Sequence, residues 1–110
     1  MLIIDCHAHV VSSDEVRYPP KRDPLRVPGG QAAVEDLRRV SQAHGVTAVR
    51  AVQTVSFYDY DNRYLCDVAR AHPGWLAGVC TLELDTAARA QVLGSTARRL
   101  WFPELAEAPA

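Results

Sequence analysis

The chain has 110 residues, a net charge of −1 and an unremarkable composition, with 48% apolar and 23% charged residues. This length allows one domain, and the charge balance predicts neither a nucleic-acid partner nor an acidic membrane surface as a partner. The apolar start of the chain is interrupted at Asp5, and no apolar run approaches the roughly 20 residues that span a bilayer.

The first predicted element is a strand that leads directly into two histidines. Residues 2–4 form a short apolar run with β-branched side chains, which predicts a strand buried on both faces, as in a parallel sheet. His7 and His9 follow, and side chains two apart in an extended chain point to the same face, roughly 6–7 Å apart. The spacing suits either a pair of metal ligands or two polar residues in a loop after a strand.

Strict alternation extends this argument to the neighbouring residues. Asp5 has the same parity as the two histidines, so it is predicted to face the same way. Its carboxylate could orient a histidine from behind, or it could belong to a polar layer in a barrel interior. Cys6 and Ala8 have the opposite parity and are predicted to pack beneath a helix.

A long loop is predicted from residue 11 to about residue 30, where six prolines and glycines exclude regular structure over most of its length. Loops of this length within a domain are usually functional or disordered. If the preceding strand belongs to a barrel, the loop lies on the carboxyl-terminal face, where active sites form. Arg17, Tyr18 and Arg26 could then contact a substrate, although a solvated lid is the preferred interpretation for any single one of them.

A helix and a second strand are predicted next. Residues 31–44 carry an apolar stripe at Val34, Leu37, Val40 and Ala43, and Gly45 provides the expected helix stop. Residues 46–55 are rich in Val and Thr, which favours a strand. The amide of Gln53, near the end of that strand, could face the site or could hydrogen-bond to a neighbouring loop.

The rest of the chain is predicted to repeat this pattern once and then to change. An aromatic loop at 56–60 precedes a helix, capped by Asp59 or Asp61, that runs to about residue 71, and residues 75–82 form a third strand. His44 and His72 end helices, which places them at the opposite end of the sheet from the first histidine pair. Residues 86–110 contain two short helical stretches separated at Gly94.

Several of these segments resemble the amidohydrolase-related family in their order along the chain. The opening IDCHAHV is similar to the family's strand and Asp-x-His-x-His signature. Tyr18-Pro19, the join AHGVTAVRAVQ and the segment DNRYLCDVARAHPGWLAGVCTL continue the likeness to about Leu82. This order is similar to the branch that contains dicarboxylate lactonases and sugar-lactone hydrolases.

The resemblance implies an α/β fold, namely the first three parallel βα units of a (β/α)8 TIM barrel with an irregular C-terminal tail. It implies a divalent metal, usually zinc, held by His7 and His9, and a small-molecule substrate. Asp5, Gln53, Tyr18 and Arg17 are the second-shell or substrate candidates. An ordinary barrel takes about 250 residues, so we expect a truncated protein.

The resemblance leaves the chemistry incomplete. Relatives hydrolyse a cyclic ester or amide with metal-activated water, but the later ligands and the general base have no counterparts here, so no catalytic residue can be assigned. A metal-dependent decarboxylase of the same superfamily, or a non-catalytic remnant or binding module, is the alternative. We expect residues 1–85 to be family sequence and 86–110 to be a divergent tail, produced by truncation or a shifted reading frame.

Two further expectations concern the surroundings of the chain. Three strands cannot close a barrel, so the open sheet edge predicts an oligomer or a complementing chain as a partner. Three cysteines without a Cys-x-x-Cys spacing suit a cytoplasmic location, where they would serve as small apolar side chains.

Overall fold

The computed structural model describes residues 1–30, 32–101 and 103–104. Its described strands form one parallel sheet in the order β1-β2-β3: β1 is Ile4–Ala8, β2 is Ala48–Val52 and β3 is Leu76–Val79. Helices α1 (Val34–Ala43), α2 (Val55–Tyr58) and α3 (Arg63–Ala71) lie in the connections between the strands. The fold class is therefore α/β, with the strand–helix alternation of a partial TIM barrel, as predicted.

The first connection is almost entirely irregular, as its prolines and glycines predict. Apart from a short 3-10 turn at Pro28–Gly30, the described residues of this connection form no regular element before α1. Helix α1 ends at Ala43, and Gly45 adopts a φ of +69°, which is the left-handed conformation that glycine accepts without strain.

The second connection differs from its prediction. Residues 53–55 were predicted to continue the strand and 56–60 to form a loop, but β2 ends at Val52 and the short helix α2 begins at Val55. The backbone carbonyl of Thr54 accepts hydrogen bonds from the amides of Phe57 and Tyr58, and this closes a helical turn. Both aromatic rings then enter the core, and Tyr60 stays 45% exposed.

The core lies between the sheet and the helices. Its buried members come from the end of β1, from all three helices and from the middle of the sheet: Val10, Val34, Ala51, Phe57, Tyr58, Tyr64, Leu65, Val68 and Leu76. The closest approach is at Gly78 in β3, where an added Cβ would lie 3.3 Å from Cγ of Leu65. This contact seats α3 directly on β3.

Two burial predictions are wrong. The opening strand was predicted to be buried on both faces, but Leu2, which lies before β1, is 70% exposed, and Ile4 within β1 is 51% exposed. In α1 the apolar stripe was predicted to include Val40, yet Val40 is 54% exposed and Ser41 is buried instead. Val40 instead borders an open groove between α1 and the first loop.

The C-terminal part is helical as far as Trp101. It consists of α4 (Thr86–Ala90), a wide π-type turn at Gln91–Ser95 and α5 (Thr96–Trp101). Asp85 caps α4, because its carboxylate accepts a hydrogen bond from the Ala88 amide at 2.7 Å. The break predicted at Gly94 is present, with a φ of +153°. The predicted end at Phe102 lies outside the described residues, and no described helix is long and apolar enough to cross a bilayer.

Candidate metal centre

The two histidines of the opening strand lie together at the carboxyl end of β1. His7 is within the strand and His9 lies just beyond it, and both side chains are exposed. Their Nε2 atoms are 3.3 Å apart, and the ring centroids are 4.9 Å apart in an edge-to-face arrangement. Because the two Nε2 atoms lie this close together, both could bind the same metal ion.

β1 contains a bulge between Asp5 and Ala8, and His7 lies within it. Asp5 is paired with Val49 and Ala8 with Ala51, so β1 advances three residues while β2 advances two. One residue of β1 is therefore extra, and strict alternation does not hold across this stretch. That Asp5 shares a face with the histidines therefore stays a prediction. The prediction that Cys6 packs beneath a helix is wrong, because its side chain is exposed.

Asp5 contacts His7 through the main chain. Its Oδ1 accepts a hydrogen bond from the backbone amide of His7 at 2.9 Å. This bond spans two residues, as in an Asx turn, and it fixes the backbone of the bulge just before the first imidazole. Asp5 thus positions His7 by holding its backbone.

The orientation of His9 depends on the neighbouring strand. Its Nδ1 lies 2.9 Å from the backbone carbonyl oxygen of Val52, at the end of β2. A carbonyl can only accept, so Nδ1 carries the proton, and in the neutral ring the lone pair is on Nε2. This lone pair is on the nitrogen that lies beside His7. A sequence pattern could not reveal this bond, because any residue at position 52 supplies the same oxygen.

Two of the predicted substrate candidates have partners on α3. The hydroxyl of Tyr18 donates a hydrogen bond to Asp67 at 2.7 Å, and Arg17 lies 3.8 Å from the same carboxylate. The bond to Asp67 raises the pKa of the Tyr18 hydroxyl. The ring of Tyr18 also packs against Tyr64, with centroids 4.9 Å apart. These contacts fasten the first loop to α3, and the structure gives neither side chain a contact with the histidines.

Gln53 is buried directly after β2, and its amide is used by the loop that follows. Nε2 donates to the backbone carbonyls of Asp59 at 3.2 Å and Asp61 at 2.8 Å. Of the two interpretations that the sequence left open, the loop contact is the one observed. Gln53 therefore shapes the second loop at the carboxyl end of the strands, where the histidines also lie.

His44 and His72 are separate from the pair, as predicted. Each follows the last residue of a helix, α1 and α3 respectively, on the side of the sheet where the next strand begins. The ring of His72 lies edge-to-face against Trp75, with centroids 5.8 Å apart. Neither histidine is part of the cluster at the carboxyl ends of the strands.

An open groove of about 580 Å³ begins beside His9. It runs between the first loop and α1, and most of its lining is apolar, including Val11, Leu37 and Val40. Arg26 also borders it, and this guanidinium forms an ion pair with Glu15 that lowers the pKa of the Glu15 carboxyl. In the described part of the chain, no group of three or more His, Cys, Asp or Glu side chains is arranged to hold a metal ion. His7 and His9 therefore supply two ligands at most.

The chain is similar to a solved enzyme structure. The crystal structure of a probable 2-pyrone-4,6-dicarboxylic acid hydrolase from Acinetobacter baumannii, with citric acid bound, superposes with a TM-score of 0.64 at 25% sequence identity. The match covers 84% of this chain and 33% of the hydrolase, so the chain spans about a third of that protein's length. No protein-family model matches the chain, and no curated protein does.

Proposed function

We propose that this chain corresponds to the first three βα units of a metal-dependent hydrolase of the amidohydrolase-related family. We also propose that the substrate of this hydrolase is a cyclic ester of the lactone class. The proposal is supported by the likeness to a probable pyrone-dicarboxylate hydrolase and by the parallel sheet with its histidine pair at the carboxyl end. That end of a β/α sheet is where such folds build their active sites. The proposal includes a cytoplasmic location, which three free thiols support.

The single observation that carries the metal proposal is the distance between the two Nε2 atoms. Imidazole nitrogens bind zinc at about 2.0–2.1 Å, so two of them at a tetrahedral angle lie about 3.3–3.4 Å apart. The observed separation is 3.3 Å. The hydrogen bond of His9 to the Val52 carbonyl supports the same interpretation, because metal-bound histidines commonly donate their other ring proton to such an acceptor.

In this proposal His7 and His9 hold a divalent ion, and zinc is the metal that the family resemblance implies. Such an ion, when bound, polarises an ester carbonyl and makes hydroxide available at neutral pH. The chain's own contribution is positional: Asp5 fixes the His7 backbone, and Val52 fixes the ring of His9. A catalytic zinc normally has three protein ligands, so the proposal requires further ligands and a general base from outside the described residues.

Metal binding by histidine variants tests this proposal. Cobalt(II) and zinc titrations are followed by absorbance and by calorimetry for the native chain and for His7→Ala and His9→Ala. We expect each variant to lose at least about tenfold in affinity, because one of two nitrogen ligands is removed. His44→Ala and His72→Ala are matched controls, because they remove an imidazole at the opposite end of the sheet, and they should bind like the native chain.

Equal affinity in all five proteins would contradict the metal site. If the native chain and all four variants show no measurable metal binding, a non-catalytic remnant or binding module is favoured instead. If a metal-loaded barrel is assembled with complementing segments, release of a titratable acid from a lactone supports the hydrolase. Release of carbon dioxide from an unsaturated acid would instead indicate the decarboxylase.

A further inference from the structure

Two of the three cysteines, Cys66 and Cys80, face each other beside the end of β3. They are distant from His7 and His9 in the sequence. Cys66 is half-buried on α3, and Cys80 is exposed in the chain directly after β3. Their Sγ atoms are 3.8 Å apart. The sequence predicted small apolar side chains at these positions, but the exposure of Cys80 and of Cys6 contradicts that role.

The backbone around the two thiols is fixed by Asn62. Its side-chain amide donates to the carbonyl of Thr81 at 2.9 Å, and its side-chain oxygen accepts from the Thr81 amide at 3.1 Å. Asn62 precedes Cys66 by one helical turn, and Thr81 follows Cys80 directly, so these bonds hold the two cysteine backbones side by side. The close contact of Gly78 with Leu65 fixes the same helix on the same strand, one residue before Cys66 and two residues before Cys80.

The remaining gap is small compared with the freedom of the side chains. A disulfide has an S–S distance of about 2.0 Å, so the sulfur atoms must approach by about 1.8 Å. Rotation about the two Cα–Cβ bonds can supply this movement, since each Sγ can change rotamer without moving its backbone. No hydrogen bond of Asn62 has to break.

We propose that Cys66 and Cys80 form an oxidative modification site, at which a low-molecular-weight disulfide such as oxidised glutathione converts them to an intramolecular disulfide. Cys80 is the more exposed of the two thiols, and burial together with its hydrogen bond to Cys66 raises its pKa, so it reacts through the small fraction that has lost its proton to solvent. This thiolate attacks one sulfur of the small disulfide. This forms a mixed disulfide and releases one small thiolate. Cys66 then loses its proton, and its thiolate attacks Sγ of Cys80, which releases the second small thiolate.

The balance is two cysteine thiols oxidised and one small disulfide reduced to two thiols. The product covalently connects α3 to the segment after β3, at the carboxyl end of the parallel strands, which is also the end of β1 where the histidine pair lies. The inference is independent of the proposed hydrolase, because it uses neither the metal nor His7 or His9.

Mass spectrometry after oxidation tests the site. The reduced chain, kept free of metal with a chelator, is incubated with oxidised glutathione and analysed intact and as peptides. We expect Cys6→Ser to lose two hydrogen atoms, and both Cys6→Ser and the native chain to yield a peptide that connects Cys66 with Cys80. Cys66→Ser and Cys80→Ser should instead keep glutathione on the other cysteine of this pair, since the resolving thiol is absent.

A further variant separates the built geometry from chance proximity. Asn62→Ala keeps both thiols but removes the bonds to Thr81, and we expect the effective concentration of one thiol at the other to fall at least about tenfold. Far-UV circular dichroism confirms that each variant is folded. If the native chain gives only mixed disulfides, or if Asn62→Ala closes the ring as readily as the native chain, the proposal is overturned.

Discussion

At the scale of single residues, tyrosine hydroxyls of α2 and α3 hold the irregular first loop and the start of α1. The Tyr58 hydroxyl accepts a hydrogen bond from the Ser12 amide at 2.8 Å, and the Tyr64 hydroxyl accepts one from the Val34 amide at 3.2 Å. Both rings are buried, and they lie 6.1 Å apart. A loop with almost no secondary structure of its own is thus held by side chains that belong to later parts of the chain.

Tyr58→Phe should destabilise the protein by about 1–3 kcal/mol, because it leaves the buried Ser12 amide without an acceptor. The free energy of unfolding in urea measures this cost. Tyr60→Phe is the matched control: its ring is 45% exposed, so a change within about 0.5 kcal/mol is expected. Equal effects of the two substitutions would show that the Ser12 bond contributes nothing.

The same two tyrosines predict a loss of stability in alkaline solution. Burial raises the pKa of Tyr58 and of Tyr64 above the ordinary value of 10.0. The folded state therefore keeps these protons longer than the unfolded state does. Their contribution to stability is fully present below pH 10.0 and is lost as the pH rises through the raised pKa values.

Urea unfolding at several pH values from about 9 to 11.5 measures this decline. The double variant Tyr58→Phe, Tyr64→Phe should show a flatter dependence on pH, because neither ring can ionise. The prediction is wrong if the double variant and the native chain lose stability in parallel.

At the scale of elements, the packing of α3 on β3 depends on the absence of a side chain at Gly78. Leu65 is 2% exposed, and Leu65→Ala should cost about 2–5 kcal/mol. Gly78→Ala places a Cβ at 3.3 Å from Cγ of Leu65, so the leucine must move.

A double-mutant cycle separates this contact from general effects of each substitution. In the Leu65→Ala background the added methyl group enters the vacated space, so Gly78→Ala should be less costly there by about 1 kcal/mol. Thermal and urea unfolding of the four proteins supply the cycle. Simple additivity would mean that the two residues are not in contact.

The elements also show how far the sequence was sufficient. Hydrophobic periodicity and turn residues predicted the order of strands and helices, and the spacing of His7 and His9 predicted that their side chains lie together. The bulge after Asp5 was missed, because an extra residue in a strand has no signature in a single sequence. The Tyr18–Asp67 bond was missed because it joins residues 49 apart, a pairing that only the tertiary fold creates.

At the scale of the whole molecule, the chain is thin and extended. Its radius of gyration is 17.4 Å, whereas a compact protein of this length has about 13 Å. Its principal extents are 51 × 41 × 21 Å. Several apolar side chains on or next to the sheet are exposed: Ile4 by 51% in β1, Val79 by 39% at the end of β3, and Leu82 by 60% just after β3. Surfaces of this kind are typical of partner contacts.

We expect concentration-dependent association through the free edge of β1. Ile4→Lys should raise the concentration at half-association by at least about tenfold, because a charge on an edge strand opposes pairing with another strand. Sedimentation velocity measures the effect. Val16→Lys is the control, because Val16 is 96% exposed in the loop and lies outside the sheet. A native chain that stays monomeric throughout would refute this expectation.

The bond between His9 and the Val52 carbonyl has an evolutionary consequence. Since every amino acid carries that oxygen, mutational drift at position 52 leaves the imidazole tautomer intact for as long as the two strands stay side by side. The pairing of β1 with β2, and not the side chain at position 52, therefore preserves the orientation of the His9 ring. A saturation library at position 52 should retain this orientation in its folded members. Alignments that score side-chain identity alone would overlook the constraint.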